Sequence, residues 1–218
     1  MNIPRHFVVP SLMVAVLISS LALANDAQKP VPLPKPQTGG GKPLMQALKD
    51  RNSSRSFRAE KLPLQVLSNL LWAASGINRP DSGKRTAPSA RNWQEIDIYV
   101  AFAEGLYLYE AKGHLLQPVL PDDIRGLTGV QAFVKEAPVN LVYVADTSRM
   151  SGASPEDRDL YAGADTGFIS ENVYLFCASE GLATVVRGSI DRPTLARAMK
   201  LRPDQKIMLG QTIGYPKQ

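Results

Sequence analysis

The stretch "KDRNSSRSF", Lys49–Phe57, joins two segments of helical pattern. It holds Arg51 and Arg55 with Ser53 between them. A guanidinium is a planar fork that can give two parallel hydrogen bonds to phosphate oxygens, and a nearby hydroxyl adds a donor. A solvated turn has the same composition. What surrounds the stretch therefore decides its meaning.

Working outward, "LMQALKDR" before it reads as a short helix. "LPLQVLSNLLWAASG" after it reads as a stronger one. Pro63 suits its first turn, Val66, Leu67, Leu70, Leu71 and Ala74 form one apolar stripe, and Gly76 can end it. "NRPDSGKRTAPSARN" is a loop by its Pro, Gly, Ser and Asn content. "EIDIYVAFAEGLYLYEAKGHL" alternates like a hairpin. Asp122 to Glu136 reads as broken helix. "VNLVYVAD" is almost wholly apolar, as a strand buried on both faces should be. The longest helix is expected from Pro155 to Glu180, with Ser154 as N-cap and Gly181 beyond its end. Its small residues Ala162, Gly163, Ala164 and Gly167 suit close helix packing or the approach of a flat ring. "LATVVRG" is a strand, "RPTLARAMKL" a short helix capped by Asp191, and "QKIMLGQTIGYP" a last strand. Hairpin and crossover connections alternate, so the expected fold is an α+β sandwich around a mixed sheet.

The N-terminus is a separate object. "MNIPRHFVVPSLMVAVLISSLALAN" carries Arg5, a long apolar run and the small-residue site Ala22-Leu23-Ala24. It reads as a secretory signal peptide, residues 1–24, cut after Ala24, which implies a periplasmic or secreted protein without a stable membrane anchor. No cysteine follows the run and no twin arginine precedes it, which disfavours a lipid anchor and Tat export. Residues 25–43 are rich in Pro and Gly and read as a linker, with the folded domain at 44–218. Gly39–Gly41 is no phosphate loop, because no strand precedes it and no Gly-Lys-Ser/Thr follows.

Composition excludes several chemistries. The net charge of +5 is mildly basic and does not call for nucleic acid. Cys177 is the only cysteine, so no internal disulfide and no cysteine-based metal site can form. His6 and His114 are the only histidines, and His6 lies in the leader. A histidine zinc site and a Ser-His-Asp triad are therefore not expected, and His114 reads as a solvated turn residue. Walker A, G-x-G-x-x-G and G-x-S-x-G patterns are absent. Asp122-Asp123 and Glu156-Asp157 sit at helix starts, where they complement the dipole. Cys177 reads as a buried, inert thiol. With these side chains missing, a bound cofactor is the remaining way to carry a reaction.

Three stretches in order resemble the nitroreductase family of FMN enzymes. Arg51, Ser53, Arg55 and Phe57 match its phosphate-binding signature between two helices. Pro88, Ser89, Asn92 and Gln94 of "RTAPSARNWQ" match its P-S-x-x-N-x-Q segment before a strand. "DTGFISENVYLFCASEGLATVVRGSID" is similar to its central helix and following strand, which places Gly188 and Ser189 where the family's backbone approaches the reactive flavin nitrogen. "IGYP" resembles its last core strand. The longer loop before Pro88 looks most like the azoline-dehydrogenase branch. Glu95 stands where a proline is common, Arg91 replaces a small residue, and Lys217 is the one basic residue after the last strand.

The resemblance implies a central, mainly antiparallel sheet flanked by helices, and a homodimer with two FMN sites at the subunit interface. It implies an FMN oxidoreductase that passes hydride or electrons to a flat acceptor, nitroaromatic- or quinone-like, and the leader adds that this enzyme is exported. Arg51, Ser53, Arg55, Pro88, Ser89, Asn92, Gly188, Ser189 and Lys217 would hold the cofactor, with no catalytic acid or base and no metal. The electron donor is left open between NAD(P)H and a periplasmic redox partner. Two alternatives stay open: an FMN- or anion-binding protein of this fold without turnover, and an azoline dehydrogenase acting on peptides.

Overall fold

A computed structural model describes residue 1 and residues 28–217. The expected leader therefore lies outside the described residues, Met1 excepted. No helix among the described residues is long and apolar enough to cross a membrane.

The elements run β1 (Val31–Pro32), α1 (Leu44–Asp50), α2 (Leu64–Ser75), β2 (Ile77–Arg79), β3 (Lys84–Arg85), β4 (Ile96–Phe102), β5 (Gly105–Glu110), β6 (Leu115–Leu120), α3 (Phe133–Glu136), β7 (Val139–Asp146), α4 (Pro155–Glu180), β8 (Ala183–Arg187), α5 (Arg192–Ala198) and β9 (Gln205–Gly214). Seven strands form one sheet in the order β1-β6-β5-β4-β7-β9-β8. Every pair in it is antiparallel. The mainly antiparallel sheet flanked by helices is therefore found, and the expected mixed character is absent only in that no pair among the described strands is parallel. The chain leaves β7 through α4, enters the sheet at the outer strand β8, and fills the gap with β9 through α5. Both neighbours of β9 are thus met head to tail.

Alternation along the central strands sorts the core onto two faces. Ile98 and Val100 of β4, with Leu141 and Tyr143 of β7, pack under α2 and α4 together with Leu70, Leu71, Ile169 and Val173. Tyr99, Ala101, Val142 and Val144 point the other way, onto Leu195 and Met199 around α5. This is why β7 is buried at every position and reads as an unbroken apolar run. Ser154 caps α4 by accepting from the Asp157 N–H, and Gly181 ends it in the left-handed region at φ 69°. A side chain is strained there, and glycine is not.

Two readings of the chain change. Part of the expected linker belongs to the fold: Val31 and Pro32 pair with Leu116 and Leu115, and Leu33 is buried. Proline is tolerated at this place because an outer strand needs partners on one side alone. The strand β6 was not expected at all. Pro118 lies within it opposite Tyr107 of β5, and β1 covers only Leu115 and Leu116, so the proline lies beyond the stretch paired on the other side of β6.

Candidate functional site

The Arg51–Phe57 stretch is extended and fastened at several points. The Ser54 N–H donates to the Thr184 carbonyl of β8 at 2.9 Å, and the Arg58 N–H donates to the Tyr215 carbonyl at 2.9 Å. Phe57 is buried against Phe133, ring centroids 5.6 Å apart. These ties run the segment along the outer edge of β8 and leave its polar side chains facing out. Ser53 and Arg55 are exposed, and Arg51 is half-buried. Among the described residues neither arginine forms an ion pair. Lys217 comes to the same place, since its N–H donates to the Ser56 carbonyl at 3.2 Å.

Tyr174 of α4 organises this cluster, and sequence reading missed it. Its hydroxyl lies 2.8 Å from Ser53 Oγ and accepts from the Val186 N–H at 2.9 Å. Its ring lies under the Arg51 guanidinium, 5.3 Å from the centroid, a cation–π contact. A tyrosine at a helix position reads as core from its spacing. Only the packing of α4 against β8 shows that its polar end reaches the edge.

Gly188 and Ser189 follow β8 and are exposed. Both carbonyls are engaged. Gly188 O accepts from Arg192 Nη1 at 3.2 Å and from the Ile190 N–H at 3.0 Å, while Ser189 O accepts from the Val130 N–H at 3.1 Å. Neither amide N–H has an acceptor among the described residues. Even positions of β8 direct their backbone groups outward, as Thr184 O and Val186 N–H do, and Gly188 continues that register.

The Pro88–Gln94 loop is a second cluster. Arg91, Asn92 and Gln94 all have positive φ, 49°, 58° and 50°. The bend is held from within: the Gln94 N–H donates to Ser89 Oγ at 2.8 Å, and Gln94 Nε2 donates to Asn92 Oδ1 at 3.0 Å. Arg85 Nε donates to Gln94 Oε1 at 2.8 Å. Asn92 is exposed, and its carbonyl oxygen is used by the loop itself, which leaves its amide donors outward. Arg91 stacks on Trp93 at 5.2 Å, and Trp93 meets Tyr161 edge-on at 5.9 Å. A cavity of about 440 Å³ under Leu67 and Phe102 touches no expected site residue, whereas one of about 420 Å³ is lined by Arg79, Lys84, Arg85, Ser89 and Asn92.

Beneath the loop lies Glu95, fully buried, with Oε1 lacking any partner among the described residues. Its Oε2 accepts from Ser89 Oγ at 3.3 Å. Burial, then the neighbouring Asp165 carboxylate, push its pKa up to about 7. Asp165 of α4 is also buried and accepts from the Ala90 N–H at 2.9 Å. Sequence reading noted Glu95 only as a departure from a common proline and gave it no role.

The two clusters do not touch in one chain. They are linked by α4, which meets the loop at Asp165 and the arginine stretch at Tyr174. These residues are nine positions apart, about 14 Å along a helix rising about 1.5 Å per residue. Between and beside them α4 shows Leu160, Gly163, Gly167 and Phe168 to solvent, Leu160 at 64% and Phe168 at 48%. A Cβ on Gly163 or Gly167 would meet nothing within 4 Å. Of the small residues of this stretch, Gly163 and Gly167 are thus not packed among the described residues, whereas Ala162 is buried in the core. His114 is corrected from a solvated turn residue to a structural link: its ring nitrogens lie 2.7 Å from Ser68 Oγ and 3.0 Å from the Tyr109 hydroxyl. Burial raises the Cys177 thiol pKa far above its ordinary value. No group of three potential metal ligands occurs among the described residues.

The sequence profile of the nitroreductase family matches residues 48–215. The chain belongs to that family and is an oxidoreductase of the nitroreductase type. It is 41% identical to a protein from Ralstonia eutropha JMP134, solved as a nitroreductase candidate, at TM-score 0.84 over 99% of this chain and 98% of that one. A nitroreductase candidate from Methanocaldococcus jannaschii is 28% identical over 169 residues, 73% of this chain and 85% of the relative. The NADPH:FMN oxidoreductase of Vibrio harveyi, solved with NAD+, shares the fold at TM-score 0.61, with 19% identity over 80% of this chain and 69% of that one.

Proposed function

We propose that the protein is an exported, FMN-dependent oxidoreductase that works as a homodimer and reduces a flat organic acceptor of nitroaromatic or quinone type. The single observation that carries the reading is the donor set along the outer edge of β8. Two arginines without acid partners, a hydroxyl held by Tyr174, and two backbone N–H groups unpaired among the described residues lie along one strand edge. Guanidiniums and a hydroxyl suit a phosphate, and free amides beyond them suit the acceptor atoms of a flavin ring. The residues present therefore fit FMN.

In this reading Arg51, Ser53 and Arg55 bind the phosphate, with Lys217 beside them. The Gly188 and Ser189 amides donate to the ring. The Pro88–Gln94 loop, stiffened by its own side chains, presents Asn92 to a polar ring edge. FMN, when bound, supplies the hydride and electron transfer; no side chain of the site needs to exchange a proton. The separation of the two clusters in one chain supports the dimer. The open, small-residue face of α4 between them suits a second copy, which would bring its loop to the first copy's arginines. The electron donor is proposed to be NAD(P)H or, if the leader directs export, a periplasmic redox partner.

The test is a visible spectrum of the purified protein after FMN is added and the excess removed. The expected result is about one retained flavin per chain, bleached by a reductant and restored by a nitroaromatic or quinone. A folded, colourless protein refutes the FMN assignment. Retained flavin inert to all donors and acceptors refutes turnover.

A further inference from the structure

Arg187 closes β8, directly before Gly188, and its guanidinium is buried. It forms no ion pair with a carboxylate among the described residues. All its partners are neutral. Nε donates to Thr212 Oγ1 at 3.1 Å, Nη2 donates to Asn140 Oδ1 at 2.8 Å and to Thr128 Oγ1 at 3.2 Å, and Nη1 donates to the Thr128 carbonyl. The slot is shaped for this side chain. A Cβ on Gly210 would lie 2.8 Å from Nη1, and one on Gly129 would collide with the same nitrogen. Burial alone lowers its pKa, to about 10, so it stays charged at neutral pH.

A buried guanidinium that is hydrogen-bonded but not neutralised is costly, and the usual remedy is a carboxylate. Here the described residues supply none. Asp191, four residues on, is exposed and turned to the Thr194 N–H at the start of α5. The nearby free groups are donors: the Gly188 and Ser189 amides, and Arg51 and Arg55 along the same strand. Arg187 also fixes the Thr128–Val130 turn, whose Val130 N–H holds the Ser189 carbonyl. One side chain thus carries a fixed positive charge and sets the peptide beside it.

We propose that Arg187 is a positioning residue whose unneutralised buried charge favours the more negative, reduced form of the cofactor bound at Gly188–Ser189. The inference rests on the FMN reading above. A preorganised charge that is itself held out of water acts at no reorganisation cost, which is the general advantage of electrostatic stabilisation by a fold. Its effect would be read as a higher reduction potential than the same backbone donors give alone.

The experiment measures the midpoint potential of protein-bound FMN by dye-equilibrated dithionite titration, in the wild type and three variants. Arg187→Met removes the charge. Asn140→Asp keeps the arginine and neutralises it in place. Arg187→Lys keeps a charge but loses the fork. We expect the first two to lower the preference for reduced over oxidised FMN by about tenfold, about 30 mV for a two-electron couple. Arg187→Lys should hold a potential near that of the wild type while melting earlier. Unchanged potentials in Arg187→Met and Asn140→Asp overturn the inference, as does an equal fall in Arg187→Lys. If Arg187→Met does not fold, Asn140→Asp decides. Wild-type protein that retains no FMN overturns the flavin reading and this inference together, and that outcome is visible before any potential is measured.

Discussion

Glu95→Gln should stabilise the protein in a way that depends on pH. Glu95 is fully buried, one carboxylate oxygen has no partner, and Asp165 sits beside it. Its pKa is raised from an ordinary 4.5 to about 7. The folded state therefore binds more protons than the unfolded state between those values, and stability falls as pH rises through that window. At 1.36 kcal/mol per pH unit the full loss is about 3 kcal/mol, complete above about pH 8. Glutamine has the same shape, keeps an oxygen for Ser89 Oγ, and never ionises. The assay is urea unfolding of wild type and variant, without added FMN, from pH 4.5 to 8.5. The two should be about equally stable at pH 4.5 and diverge to about 3 kcal/mol in favour of Glu95→Gln at the alkaline end. Parallel curves across the range refute the argument, because they would mean that Glu95 finds a partner or solvent when it ionises.

Other expectations follow from the clamp and the open helix face. Arg51→Ala with Arg55→Ala should abolish retention of FMN on a desalting column while leaving the melting temperature within a few degrees, since neither arginine makes an ion pair among the described residues; retained flavin would move the phosphate elsewhere. Tyr174→Phe should cost about 1–3 kcal/mol in urea unfolding, because the Val186 N–H loses its acceptor, and should also weaken FMN binding through the freed Ser53; an unchanged FMN affinity would deny Tyr174 its organising role. Phe168→Asp on the exposed face of α4 should shift the protein from dimer to monomer in sedimentation, with wild type dimeric; a wild-type monomer refutes the proposed assembly.

Much of the fold was legible because local chemistry and packing agree. Helix α4 begins at a capping serine followed by proline and ends at a glycine with positive φ, so its Pro155–Glu180 bounds follow from composition. Strand β7 is buried on both faces and shows it as an apolar run. Strand β6 and the short β1 were not legible, since Pro118 and Pro32 argue against strands and only pairing at an outer edge permits them. The family resemblance implied a mainly antiparallel sheet, but that every pair is antiparallel was not legible, because the direction of β9 depends on which neighbours it enters between.

The chain order of Arg51, Ser53 and Arg55, the Pro88–Gln94 segment and Gly188–Ser189 was enough to name candidate residues and a family resemblance, because sequence spacing carries those motifs directly. What those residues face was decided by tertiary structure. Tyr174 became the support of Ser53, Lys217 came to Ser56, and Asn92 was found separated from the arginines by part of helix α4. Glu95 and Arg187 were ordinary charged letters until packing buried both, one carboxyl with an unpartnered oxygen and one guanidinium among neutral acceptors. Burial and the absence of a counter-charge are properties of three-dimensional neighbours. No pattern along the chain encodes them, because the groups that enclose each side chain come from elements up to dozens of residues away.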